Sequence, residues 1–270
     1  MPTEEQLAFA EAIDDIVEGA GGADIARAWA DGDTDAGLAL WAQFAELGLL
    51  GLRISEDEGG FGGTPGDLVI VFERLGYHGI PGPYLESVAL LPALVDAPTR
   101  RELAAGLVAT AAVDDVAPAA LDAGVATRRF LISDGVLRTA SVAEEFESVA
   151  PTRRPARLLG EGARAPLDAV ALDRALNEAS LAAAATLVGA GERMLDEAVS
   201  YAKVREQFGR PIGEFQALKH QLADVRVALS FARPLVWNAA LRADEPDADR
   251  AISAAKVASS DAAMLAARTS

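Results

Sequence analysis

The sequence contains no cysteine and only two histidines, His78 and His220. The first absence excludes disulfides, thiolate metal sites and a cysteine nucleophile. The second, with no Glu-x-x-His or His-x-x-x-His pattern, argues against a di-iron or zinc bundle, so no metal site is expected. No apolar run approaches the roughly 18 residues needed to span a bilayer. The start, Met1-Pro2-Thr3-Glu4-Glu5, has neither the basic residues nor the apolar stretch of a signal peptide. Basic charge is also scarce. There are 24 Lys and Arg residues against 41 Asp and Glu, a formal net charge of −17. Such a surface repels phosphate backbones and anionic lipid, so neither nucleic acid nor membrane is an expected partner. A soluble, cytoplasmic protein is expected. Gly-x-Ser-x-Gly is absent, and Gly59 to Gly63 lack the Lys-Ser/Thr of a phosphate loop, so they read as a turn.

What remains is a chain of 270 residues, 51% hydrophobic, long enough for one large domain or two smaller ones. Thr3 and Gln6 form a capping box that opens a helix through about Glu18, stopped by Gly19, Gly21 and Gly22. Further helices are expected over Asp35–Leu47, Pro65–Leu75, Tyr84–Val95 and Thr99–Leu107. The texture then changes. Leu107–Val113 reads as a strand, and Arg129–Thr139 reads as a hairpin turning at Asp134-Gly135. Short strands extend to about Leu172. Three long helices follow, over Ala175–Lys203, Glu214–Arg242 and Asp249–Ser270, with Pro234 a kink in the second. The fold class is mainly α with a small β insert. Its divisions are an N-terminal helical domain (1–106), a reduced middle β domain (107–172) and a C-terminal antiparallel helical bundle (173–270).

The corner between the first two long helices carries the chemistry. Tyr201-Ala202-Lys203-Val204-Arg205-Glu206-Gln207-Phe208-Gly209-Arg210-Pro211-Ile212 continues to Gln216. It sets a guanidinium, an aromatic ring and amides side by side. That combination suits a dinucleotide, with the guanidinium for pyrophosphate and the ring for adenine or ribose. The segment resembles the acyl-CoA dehydrogenase signature Tyr-x-x-x-Arg-x-x-Phe-Gly-x-x-Ile-x-x-x-Gln, and Tyr201, Arg205, Phe208, Gly209, Ile212 and Gln216 match it. Glu46 to Leu52 with Glu58 to Gly63 resembles a second passage of that family.

The resemblance implies an enzyme that desaturates an acyl-CoA thioester between its α and β carbons, with FAD as the hydride acceptor and a carboxylate as the base. It implies that Arg205 and Phe208, with Gln216 and Gln207 beside them, reach a FAD shared across a subunit interface. The chain departs from the family in ways that matter. The family's flavin-facing Thr-Glu-Pro-x-x-Gly-Ser and Trp-x-(Thr/Ser) stretches are missing between Val108 and Leu172. The family base in the last loop and the His-Gly-Gly-x-Gly segment are not reached by Ser270. Where a minority of members place the base instead, the chain has Ala179, with Glu178 one residue away, and Ser180 stands where some members have a substrate-contacting Arg. The catalytic residue is therefore unassigned. The chain is similar to the short subunit of some bacterial, notably actinobacterial, α2β2 acyl-CoA dehydrogenases, which often act on steroid-derived thioesters. A longer partner subunit would hold the flavin ring, substrate and base. A self-sufficient homomeric enzyme whose tail is missing and a non-enzymatic scaffold paralogue are the alternatives. Tyr84 and Glu86 fall near where the family admits the acyl chain, and Arg153, Arg154 and Arg157 form a basic cluster that a CoA phosphate could meet; packing and a solvated turn are their plainer roles.

Overall fold

The computed structural model describes residues 2–270. Its helices are α1 (Glu4–Gly19), α2 (Ala23–Asp31), α3 (Asp35–Glu46), α4 (Pro65–His78), α5 (Ala97–Ala104), α6 (Ala169–Val204), α7 (Gln216–Leu241) and α8 (Ala248–Thr269). Its strands are β1 (Ala109–Val113), β2 (Ala120–Leu121), β3 (Arg128–Ser133), β4 (Val136–Glu145), β5 (Pro155–Pro166), β6 (Glu206–Gln207) and β7 (Arg210–Pro211). The fold is mainly α with a small sheet. The residues form two compact units.

One unit comprises Glu11–Leu68 and Ile80–Ala179. Its sheet has the order β1-β3-β4-β5-β2, with β1 parallel to β3 and the remaining pairs antiparallel. The β3–β4 turn is Asp134-Gly135, both at positive φ (52° and 69°), which is the twist a two-residue hairpin needs. The sheet curls until its edges meet, where Thr110 Oγ1 donates to the Leu121 carbonyl at 2.7 Å. The helical and sheet parts share one core. Ile54, Leu90, Leu91 and Leu103 pack with Phe130, Ile132 and Leu137, and Ala175 and Ala179 of α6 close it. Buried polar ties reinforce that packing: Trp41 Nε1 donates to the Gly106 carbonyl at 2.9 Å, and Ser87 Oγ to that of Ala109 at 2.6 Å.

The other unit comprises the chain up to Ala10, Val69–Gly79 and Ser180–Ser270. Here α4 meets α6 almost backbone to backbone. A Cβ on Gly189 would lie 1.9 Å from the Glu73 carbonyl oxygen, and one on Gly76 would lie 2.1 Å from that of Thr186. Gly191 is close to the α7–α8 pair, where a Cβ would meet Leu229 Cδ2 at 2.6 Å and Ala263 Cα at 3.6 Å. Charged groups line the same crossing. Arg233 donates to Glu73 Oε1 through Nε (3.0 Å) and Nη2 (2.7 Å), and the buried Glu192 accepts from Arg226 and faces Arg233.

Several elements differ from the sequence expectation. Helix α2 was hidden behind Gly19, Gly21 and Gly22; it starts directly after Gly22 and ends on Gly32 in the left-handed conformation (φ 97°). The segment expected as a helix over Tyr84–Val95 is a π turn (Leu85–Leu90) and a 3-10 turn (Leu91–Ala93), because Pro92 cannot donate to an α ladder. The strands stop at Pro166, and α6 starts at Ala169, six residues before the expected Ala175. Helix α7 runs through Pro234 without interruption. The capping box forms as expected, with Thr3 N to Gln6 Oε1 at 3.0 Å and Gln6 N to Thr3 Oγ1 at 3.2 Å.

The crossing gives a direct prediction. Gly189→Ala should destabilise the protein by about 3 kcal/mol, because the added methyl overlaps backbone that no rotamer change can move. Gly19→Ala has nothing within 4 Å of its new Cβ and should be neutral. Urea denaturation of the two variants checks the contrast.

Candidate functional site

The signature segment does not form the plain helix-to-helix corner expected of it. Helix α6 ends at Val204, and β6 and β7 pair as a short hairpin, Glu206 with Pro211 and Gln207 with Arg210. Its two turn residues, Phe208 and Gly209, have φ of 54° and 80°. For Gly209 that conformation is free of strain, but for a phenylalanine it is an outlier. A 3-10 turn (Ile212–Glu214) then leads into α7, and Gly213 lets this return segment lie against α6: a Cβ there would sit 2.9 Å from the Ala202 carbonyl.

The hairpin displays its side chains outward. Phe208 is 93% exposed, and Arg205, Gln207 and Gln216 are exposed. Asp196, an acid nine residues before Arg205, accepts from Tyr77 Oη at 3.1 Å and faces Arg226. Arg205 has no ion pair among the described residues. The structure thus brings Arg205, Gln207 and Phe208 together at one hairpin, with Gln216 at the first position of α7.

The remaining candidates have other employment. Glu178 is not a solvated carboxylate. Arg53 grips it in a two-pronged pair, Nε to Oε2 at 3.0 Å and Nη2 to Oε1 at 2.7 Å, and Arg53 also bonds the Gly63 carbonyl. Both carboxylate oxygens are engaged, so Glu178 clamps the glycine-rich loop to α6. Its neighbour Ala179 is a core residue. In the glycine loop, the N–H groups of Gly60, Phe61, Gly62 and Gly63 go to the carbonyls of Ser55, Gly51, Ile54 and Leu52. No backbone donors are left there to cradle a phosphate. Arg154 donates to the Trp29 carbonyl at 2.8 Å, and Arg157 pairs with Glu144 at 2.9 Å, so the basic cluster is largely committed.

Tyr84 and Glu86 are both buried. The Tyr84 ring lies 4.3 Å from that of Trp41 and 5.9 Å, edge-on, from that of Phe44. Tyr84 Oη and Glu86 Oε2 have no hydrogen-bond partner. Burial pushes the Glu86 carboxyl up to about 7 and outweighs the nearby Arg153 charge. Asp122, also buried and likewise raised mainly by burial, accepts from Trp29 Nε1 at 3.2 Å. Among the described residues no group of three His, Cys, Asp or Glu side chains could hold a metal ion, and no helix is long and apolar enough to cross a membrane.

A long-helix unit, a small sheet sharing a core with short helices, and an outward Arg-x-x-Phe hairpin are the parts that the acyl-CoA dehydrogenase resemblance leads one to expect. Comparison with known proteins agrees. Residues 3–97 match the acyl-CoA dehydrogenase N-terminal domain and residues 169–270 the acyl-CoA dehydrogenase C-terminal domain. The chain is 36% identical over 248 residues to the acyl-CoA dehydrogenase IpdE2 of Mycobacterium tuberculosis, covering 88% of this chain and 76% of that protein. Among solved structures, a Tcur3481–Tcur3483 steroid ACAD variant superposes with a TM-score of 0.81 at 24% identity, covering 98% of this chain and 85% of that one. The ChsE4–ChsE5 complex of Mycobacterium tuberculosis gives 0.82 at 22% identity, covering 100% and 86%. The chain belongs to the acyl-CoA dehydrogenase family.

The buried Glu86 yields a pH prediction. Its carboxyl titrates near 4.5 when unfolded and is raised to about 7 in the fold. A raised carboxyl destabilises the fold as pH climbs from the unfolded value through the folded one, so the penalty is absent at acidic pH and complete above 7. Glu86→Gln should therefore match the wild type near pH 4.5 and be more stable at pH 8, by on the order of 3 kcal/mol. Urea melts at the two pH values check it.

Proposed function

We propose that this chain is the shorter subunit of a heteromeric, FAD-dependent acyl-CoA dehydrogenase. It contributes Arg205 and Phe208, with Gln207 and Gln216 beside them, to the adenosine-diphosphate half of a FAD held mainly by a longer partner. The observation that carries this reading is the outward hairpin. A phenylalanine held at positive φ with its ring almost fully in water costs free energy, of which the edge-on contact with Phe215 offsets only a part. A ligand or a neighbouring subunit covering the ring offsets it. The unpaired Arg205 fits the same ligand, because its planar fork of donors matches phosphate oxygens and keeps its charge at any working pH. Bound there, the flavin supplies the two-electron acceptor for α,β-desaturation of the thioester.

Neither of the two α6 positions weighed for the base supplies one. Ala179 has no acid, and Glu178 is held by Arg53. The base and the flavin-ring pocket are assigned to the partner. The names of the similar structures, a steroid ACAD and a two-component complex, support a steroid-derived acyl-CoA as substrate and a second kind of subunit, which we assign to an α2β2 assembly. In this reading the family's three-part order is kept, with boundaries near residues 106 and 172 and a middle domain too short to hold the flavin alone.

The test is purification through a tag on this chain, alone and from its source organism, followed by flavin absorbance. The retrieved complex should be yellow, and the chain alone colourless. Arg205→Ala should weaken FAD binding by the complex about 10- to 100-fold, the worth of a charge-assisted hydrogen bond. A yellow, active homo-oligomer of this chain alone would sink the proposal.

A further inference from the structure

The signature's Arg205 has a neighbour of the same chemistry on the other strand of the hairpin. Gln207 is directly opposite Arg210, and Glu206 opposite Pro211. The ladder continues one step, because Ile212 N donates to the Arg205 carbonyl at 2.8 Å. Side chains alternate between the faces of a strand, and opposed residues share a face. Arg205, Gln207, Arg210 and Ile212 therefore share one face, and Glu206 with Pro211 takes the other. The only acid of the hairpin strands is thus turned away from both guanidiniums. Arg205 and Arg210 are diagonal neighbours, with Cβ atoms about 7 Å apart in such a ladder.

Arg210 is also fixed in place. Its Cζ lies 4.4 Å above the centre of the Phe215 ring, and the same ring meets Phe208 edge-on with centroids 6.2 Å apart. Phe215 is anchored in turn. Its N–H bonds the Ile212 carbonyl at 3.1 Å, in a segment that Gly213 holds against α6. A cation over a ring face is restrained without being neutralised, so its N–H edges stay available. Arg210 has no ion pair among the described residues.

Resting on the FAD reading above, we infer that Arg210 is a second guanidinium for the same diphosphate, and that Phe215 is the positioning residue that holds Arg210 and Phe208 ready for it. A diphosphate carries a charge on each of two adjacent phosphoryl groups, and two guanidiniums on one face can take one each. The hairpin is then a preformed clamp, and little ordering remains to be done when the cofactor arrives.

The experiment uses the flavin-loaded complex retrieved through a tag on this chain, stripped of flavin and titrated with FAD or FMN by flavin fluorescence. Circular dichroism checks that each variant is folded. Arg210→Ala should weaken FAD binding about tenfold and flatten its dependence on salt, as loss of one phosphate contact does. FMN, which has a single phosphate and no adenosine, should bind the variant and the parent alike. Phe215→Leu should weaken FAD binding several-fold, and Phe215→Tyr, which keeps the ring face, should restore it. If Arg210→Ala and Phe215→Leu stay within about twofold of the parent while Arg205→Ala weakens FAD binding, the clamp is wrong and the FAD reading stands. If Arg205→Ala is also without effect, the FAD reading itself fails.

Discussion

The long-helix unit depends on one contact, the backbone-to-backbone crossing of α4 and α6. Gly76 and Gly189 each stand where a methyl group would enter the carbonyl of the other helix. Side chains cannot mediate an approach that close, so the two helices have one register and no alternative. The charged groups around the crossing follow from it. Arg233 reaches Glu73 and Glu192 from α7 because α4 and α6 are already pressed together. Glu192 is buried, and such a carboxylate is tolerated only with its guanidinium partners in place. The crossing also fixes α6, and with it the hairpin at the end of α6.

In the proposed reading, the hairpin solves an electrostatic problem for this chain. A protein of net charge −17 repels a diphosphate over most of its surface. Binding one requires a local concentration of cations with the acids turned aside. Lys203, Arg205 and Arg210 fall within eight residues, and the alternation of the ladder turns Glu206 to the opposite face. The two positive-φ turn residues make this possible with so few residues, because they reverse the chain in the sense that matches strand twist. Strain at Phe208 and exposure of its ring are then two consequences of one geometry.

Much of the architecture was legible in the sequence where local rules and burial agree. Asp134-Gly135 between two apolar runs could only be a tight hairpin, and Thr3 with Gln6 could only cap a helix. The signature residues Arg205, Gln207 and Phe208 come together at one hairpin. The misses have physical causes. Gly21 and Gly22 hid α2, although Ile25 and Trp29, spaced one turn apart and both buried, carried a helical signal. The segment from Gly209 to Pro211 reads as a plain corner between two helices, since nothing local announces a phenylalanine in the left-handed region. The Arg53–Glu178 pair joins residues 125 apart in sequence, and no periodicity encodes such a partner. The two unpartnered polar groups at Tyr84 and Glu86 lie at the start of a π turn, which no periodicity in the sequence announces.

The central claim is that this chain supplies one half of a cofactor site whose other half belongs to a different polypeptide. An experimental structure of the flavin-loaded complex tests it most directly. The expected result is a FAD whose isoalloxazine contacts only the longer subunit and whose diphosphate lies within hydrogen-bonding distance of Arg205 of this chain, with Phe208 against the adenosine. A FAD enclosed wholly by one polypeptide, with the Arg205–Phe208 hairpin still in solvent, would contradict it.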